Sequence, residues 1–275
     1  MWTLTGFADE ISPDLDVQLD TLDNQSIRYL EFRGVWSKNV LDLTDAELET
    51  VKATLAQRGV KVSSIGSPIG KIRIADDFAP HLDAFRRTLQ IARMLEAPYI
   101  RIFSFFIPEG AEPERYREQV LDRLDQIVRL AAGANVILLH ENEKHIYGDI
   151  PQRCHDILTQ INSPILRAAW DPANFVQCGI RPYSAGFAML QPFIAYVHVK
   201  DALLASGEVV PAGQGDGEWP ETIAALHTTR FDGFFSLEPH LKTAGPFSGF
   251  SGPALFEVAA KALKDLLREQ GVQWR

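Results

Sequence analysis

The chain has 275 residues, enough to bury a large core without disulfides or a structural metal. Its composition, 46% hydrophobic and 23% charged, excludes a disordered or fibrous chain, and no apolar run approaches the ~20 residues of a membrane-spanning helix. A net charge of −9 argues against nucleic acid or an anionic membrane as partner.

From the N-terminus, apolar runs alternate with amphipathic stretches. Strands are predicted at Leu4–Asp9, Arg28–Arg33, Lys61–Gly66, Pro98–Ser104, Asn135–Glu141, Leu166–Asp171, Ile194–Val199 and Gly233–Glu238. Most are dense in Ile, Val, Leu, Phe and Tyr with little polar alternation, as strands covered on both faces are. Thr44-Asp45-Ala46-Glu47 reads as a capping box opening a helix that Gly59 closes. Further helices are predicted at Phe78–Ala97, Glu112–Ala132, Asp149–Ile161, Pro182–Leu190, Glu218–Thr228 and Gly252–Glu269. The count matches an α/β chain folded as a (β/α)8 TIM barrel, eight parallel strands inside a helical layer. An open doubly wound sheet competes, but Gly6-Phe7-Ala8-Asp9-Glu10 is no phosphate-binding turn after the first strand. With no linker or composition shift, one domain over residues 1–275 is expected.

Four familiar motifs fail on spacing. Gly66–Lys71 is one residue short of a phosphate loop, and Gly213–Gly217 has the wrong glycine pattern for a dinucleotide. In His140–His145 the second His comes one residue late for a helical zinc motif, and the preceding run reads as strand. Ser248–Gly252 misses the nucleophile-elbow spacing. Cys154 and Cys178 show no disulfide, metal or redox spacing, and no basic-then-apolar segment opens the chain, so a reduced cytoplasmic setting is expected.

The informative pattern lies at the strand ends. Strand five ends at Glu141, strand six at Asp171, strand seven carries His198, and strand eight ends at Glu238. In a closed barrel these ends converge at one mouth, where barrel active sites are built. Any one of them reads equally well as a helix cap, an ion-pair member or a core histidine. Four on successive strands favour ligands of a divalent ion, because buried carboxylates brought together repel unless a cation intervenes. An O3N set suits Mn²⁺, Mg²⁺ or Co²⁺, with Zn²⁺ also admitted; Mn²⁺ is the first choice.

These residues also carry a family resemblance. HENEKHIYGD (His140–Asp149), WDPANF (Trp170–Phe175), HVKD (His198–Asp201), GQGDGEW (Gly213–Trp219) and SLEPH (Ser236–His240) resemble the xylose isomerase-like barrels, specifically the sugar phosphate isomerase/epimerase group. The resemblance runs over nearly the whole chain. It implies one divalent metal on Glu141, Asp171, His198 and Glu238. It also implies an isomerase or epimerase of a small sugar or polyol, moving a proton through a metal-stabilised enediolate with Glu141 and Glu238 as the acid/base pair. Asn174 stands where related DNA-repair endonucleases and many sugar epimerases have His, and Phe103-Ser104-Phe105 also lacks one, which is too few soft ligands for a three-zinc centre. Gln214 stands where similar proteins often have Glu.

Two alternatives remain: an inosose-type keto-polyol dehydratase on the same metal, and a barrel that binds carbohydrate without turnover. Lys71, Asn142, Lys144, Asn174, Lys200 and Asp201 flank the ligands and are expected to contact substrate; Glu31, Arg33 and Arg101 read equally well as ordinary salt bridges. His140 and His145 are given no catalytic role, and His81, His155 and His227 read as surface histidines on helices. The sequence leaves oligomeric state open, a homo-oligomer included.

Overall fold

The computed structural model describes residues 1–244 and 249–275; Ser248, part of the discarded elbow motif, lies outside them. Eight parallel strands form the central sheet: β1 (Thr3–Gly6), β2 (Tyr29–Phe32), β3 (Lys61–Ile65), β4 (Tyr99–Ile102), β5 (Ile137–Glu141), β6 (Leu166–Trp170), β7 (Ile194–Val199) and β8 (Phe234–Leu237). Their order, β1-β8-β7-β6-β5-β4-β3-β2, is that of a ring, and a parallel bridge between Phe7 and Glu31 brings β1 to β2. This is the TIM barrel that the strand count predicts, with every predicted strand in place.

Helices pack outside: α1 (Leu15–Asn24), α2 (Asp45–Arg58), α3 (Ala79–Met94), α4 (Arg117–Ala131), α5 (Pro151–Ile161), α6 (Pro172–Gln177), α7 (Trp219–Thr228) and α8 (Gly252–Glu269). The Thr44–Glu47 capping box is present in both directions. The sequence reading named no helix before β2. Helix α1 forms there because Asp14 caps it and Leu15, Leu19 and Leu22 bury one stripe. The predicted helix over Pro182–Leu190 is instead a π-helical turn (Tyr183–Phe187) running into a single α-turn. Gly186 presses on Pro151 there, so closely that a Cβ would lie 2.5 Å from the proline ring. Among the described residues no helix is long and apolar enough to cross a membrane.

Alternate residues of a strand face the same way, and this period of two grades the barrel interior from plug to mouth. Tyr29, Tyr99, Tyr196 and Phe234 interlock at the base, with ring centroids 5.1–6.1 Å apart. Above them Ser63 Oγ lies 2.8 Å from Thr5 Oγ1 and 2.9 Å from the Tyr196 hydroxyl. Two residues past the plug the interior becomes charged on β2, β4 and β7, at Glu31, Arg101 and His198.

Candidate functional site

On β7 the shared face carries Tyr196, then His198, then Lys200 just past the strand; on β8 it carries Phe234, Ser236, Glu238 and then His240. The same stagger brings Glu141 from β5 and Asp171 from the end of β6. Glu141, Asp171, His198 and Glu238 are buried, and each offers a ligand atom within 4.8 Å of the others. Asp171 is also a helix cap: its Oδ1 accepts from the Asn174 amide at 3.0 Å and starts α6, leaving Oδ2 toward the cluster. Capping and clustering are therefore compatible in one carboxylate.

His198 lies 3.1 Å from Glu141 through Nδ1 and 3.2 Å from Glu31 through Nε2. Neither approach is aligned as a hydrogen bond, but each ring nitrogen is buried against a carboxylate as an ion-pair contact. Ser236 Oγ donates to Glu31 at 2.7 Å and fixes that carboxylate beneath the ring. Nδ1 thus faces Glu141 and Glu238, while Nε2 faces Glu31. A divalent ion taking Nδ1 and three carboxylate oxygens would fit this donor set, because Glu31 already orients the ring and Nδ1 would give up its proton, and its ion-pair contact with Glu141, on binding.

The carboxylates are also compensated from within the protein. Lys200 Nζ bonds Asp171 Oδ2 and lies 2.6 Å from Glu238 Oε2. Arg101 Nη1 reaches Glu141 Oε2 at 3.1 Å and Glu238 Oε1 at 3.6 Å, and Arg33 Nη1 reaches Glu238 Oε1 at 3.1 Å. Burial opposes ionisation at Glu141, but His198 and Arg101 outweigh it and hold the carboxyl down at about 2. At Asp171 burial prevails over Lys200, with Glu141 and Glu238 adding to it, and the carboxyl is pushed up to about 6. Burial also opposes charge on His198, yet Glu141 and Glu31 raise it to about 10.

Around this cluster the expected contacts divide. Asn174 Nδ2 donates to Glu141 Oε1 at 3.2 Å, and Lys71 lies over the Phe103 ring at 4.3 Å with Glu143 3.2 Å away. Three residues expected to touch substrate are committed elsewhere. The Asn142 amide clamps the Asp171 backbone, donating to its carbonyl at 2.8 Å and accepting from its N–H at 3.1 Å. Lys144 Nζ donates to Gln177 Oε1 at 2.7 Å. Asp201 accepts from the amides of Ala202, Gly213, Gly215 and Gly217 at 2.8–3.0 Å, and so ties down the Gly213–Trp219 loop. Asn142 and Asp201 fall one residue off the inward series of β5 and β7, so their side chains turn away from the shared face.

The open readings of Glu31, Arg33 and Arg101 resolve toward the mouth: all three are buried against the cluster. His81 is not a surface histidine, since its Nε2 accepts from the Gly70 amide at 2.7 Å. Sequence reasoning missed His240 and Glu10. His240 Nε2 lies 3.0 Å from Glu10 Oε1 and 3.5 Å from Glu238 Oε1, and its backbone N–H donates to Glu10 Oε2 at 2.8 Å. Burial works against charge on this ring, but Glu10 and Glu238 raise it to about 9. The available signal was the SLEPH run, which puts His240 two residues beyond Glu238.

The family model for the xylose isomerase-like TIM barrel matches residues 24–270. A comparison with curated protein sequences finds no match. Among solved structures, the chain is similar to the IOLI protein with a binding zinc atom, at 15% identity and a TM-score of 0.78, covering 98% of this chain and 99% of that one. It is similar to D-psicose 3-epimerase with D-tagatose from Clostridium cellulolyticum H10 at 13% identity and a TM-score of 0.75, covering 98% and 100% of the two chains. It is also similar to the probable 3-DHS dehydratase AsbF of Bacillus anthracis at 19% identity and a TM-score of 0.74, covering 96% and 98%. The family match over nearly the whole length, together with the observed barrel, makes this chain a member of the xylose isomerase-like TIM-barrel family.

Proposed function

We propose that this single-domain barrel, residues 1–275, is a divalent-metal-dependent enzyme that isomerises or epimerises a small sugar or polyol by proton transfer. The observation that carries this reading is the buried meeting of Glu141, Asp171, His198 and Glu238, with ligand atoms within 4.8 Å of one another and His198 Nδ1 turned toward the carboxylates. The structural similarity to a D-psicose 3-epimerase supports this reading without fixing the substrate. When bound, a divalent ion, Mn²⁺ in the first instance, supplies Lewis-acid stabilisation of the negative charge that develops as a C–H proton leaves.

The protein's own groups do the rest. Glu141 and Glu238 project from β5 and β8, apart around the ring, so one carboxylate can take a proton and the other return it from a different side. Arg101 contacts both, keeping each ionised and oriented. Asn174, bonded to Glu141, and Lys71, paired with Glu143, border the cluster and would meet substrate hydroxyls there, while Asn142, Lys144 and Asp201 hold the surrounding loops. Cys154 and Cys178 are free thiols, in keeping with the proposed cytoplasmic setting.

A keto-polyol dehydratase is the second reading, and His240 favours it. A charged imidazole 3.5 Å from Glu238 can give a proton to a departing hydroxyl. The test is solvent exchange: Mn²⁺-loaded protein should wash the C–H proton of a ketose into D2O, and Glu238→Gln should abolish this while still binding metal more weakly. Normal exchange in that variant would remove Glu238 from the acid/base role. An absorbing enone product from an inosose would select dehydration.

A further inference from the structure

The cluster's carboxylates meet three protein cations, Lys200, Arg101 and Arg33, besides the His198 ring, so the protein supplies counter-charge to its own cage. Lys200 stands apart from the two arginines. Arg101 and Arg33 approach from β4 and β2, and each has another acceptor: Gly66 O for Arg101 at 3.3 Å, and Asp9 Oδ2 for Arg33 at 2.7 Å. Lys200 shares the inward face of β7 with His198, and its ammonium bonds two of the four candidate ligands at once. Its backbone is fixed, because Trp219 Nε1 donates to its carbonyl at 3.1 Å. The ammonium is held at the end of a flexible four-carbon stem, the part of the cage best able to move.

From this, the geometry points to Lys200 as a tethered cation that competes with the divalent metal for Asp171 and Glu238, holding the cage together before loading and leaving when the ion arrives. Carboxylate oxygens sit about 2.0–2.6 Å from such ions, so an ammonium bonded to the same two oxygens occupies the space the ion needs. Its charge opposes loading a second time, since two cations in one dry cage repel. The displaced ammonium stays on its stem at the mouth, available to a substrate hydroxyl. This inference rests on the metal-cage reading above. Affinity for the ion is set in part by how readily Lys200 leaves.

The test titrates purified full-length protein with Mn²⁺ alone, comparing wild type with Lys200→Met and Lys200→Gln. Both variants should bind Mn²⁺ at least about tenfold more tightly. Without metal both should unfold at lower temperature than wild type, and the added stabilisation by saturating Mn²⁺ should exceed that of wild type. Lys200→Gln keeps an uncharged N–H donor on a side chain one atom shorter, so it covers the case in which the methionine variant folds only with metal. Equal or weaker Mn²⁺ affinity in the variants, with wild type still binding, overturns the competition and leaves the metal cage standing. Failure of wild type and both variants to bind Mn²⁺, Mg²⁺, Co²⁺ or Zn²⁺ overturns the cage and the competition together.

Discussion

The two halves of the barrel mouth obey one geometric rule and carry opposite chemistry. Strands β5 to β8 present Glu141, Asp171, His198 and Glu238, a concentration of oxygen and nitrogen donors. Strands β1 to β4 present a ladder of cations and rings. Arg33 and Arg101 lie 4.4 and 4.8 Å from the centre of the Phe7 ring, and Arg101 and Lys71 lie 4.9 and 4.3 Å from that of Phe103. The ladder lets guanidinium groups remain buried, because ring faces take the place of some of the water they lost. It also adds to the counter-charge that Lys200 supplies within the donor half, so the two halves stabilise each other.

Removing the strut between the halves should have the largest effect. Arg101→Met strips Glu141 and Glu238 of a shared guanidinium and should cost about 3–5 kcal/mol of stability, the usual consequence of leaving a buried partner unpaired. Urea unfolding measures this. Mn²⁺ should recover more stability in the variant than it adds to wild type, since an ion replaces the missing charge. A loss below about 1 kcal/mol would mean the halves are not coupled through this residue.

A smaller effect is expected where the two halves meet below the surface. Glu31 belongs to β2 yet orients His198 from beneath, so Glu31→Gln should weaken Mn²⁺ binding about 10- to 100-fold while the fold persists. Isothermal titration reads the affinity; an unchanged value would detach Glu31 from the donor half. Smaller again is Phe7→Leu, which removes the ring beneath two guanidinium groups and should cost about 1–2 kcal/mol in urea unfolding. Its expected signature is a loss that metal does not restore, because the ladder, not the cage, is damaged.

The donor half was far more legible in the sequence than the cation half. Apolar runs of the right spacing disclosed all eight strands, and a carboxylate or imidazole ending such a run stands out against it. Glu31, Arg33 and Arg101 stand in equally apolar runs, but a lone charge there reads equally as a surface salt bridge. What separates the readings is parity: Tyr29, Glu31 and Arg33 fall on one face, as do Tyr99, Arg101 and Phe103, and each series starts from an aromatic of the basal plug. The same count finds His240 two residues past Glu238. It also explains why Asn142 and Asp201, one residue off the inward series, serve the backbone instead. Glu10 escapes any such count, because the chain has left β1 for a 3-10 turn (Ala8–Glu10) by the time it is placed. Turn geometry of that kind is set by tertiary contacts, here the Ser251 amide donating to the Glu10 carbonyl at 2.9 Å.

The cation half has its own sensitivity to acid, outside the charged cluster. Lys71 is carried by the loop after β3, and that loop is pinned where the Gly70 amide donates to His81 Nε2. Gly70 has φ +91° and lies so close to the Phe103 carbonyl that a Cβ would come within 2.1 Å, so the loop cannot easily rearrange to find another acceptor. Only a neutral His81 can accept this bond. Burial, with Arg123 adding to it, lowers the His81 value to about 4, against about 6.5 for an unfolded histidine. The unfolded chain therefore binds the proton first on acidification. The stabilisation is complete above about pH 6.5 and is lost as pH falls toward 4. Histidine 140, buried and likewise lowered to about 4, acts in the same direction and window. In His81→Gln the amide oxygen can still accept from Gly70 but does not titrate, so the urea midpoint should fall less between pH 6.5 and 4 than it does in wild type. An identical slope in wild type and variant would show that the pin is not coupled to protonation, and that acid reaches the two halves alike.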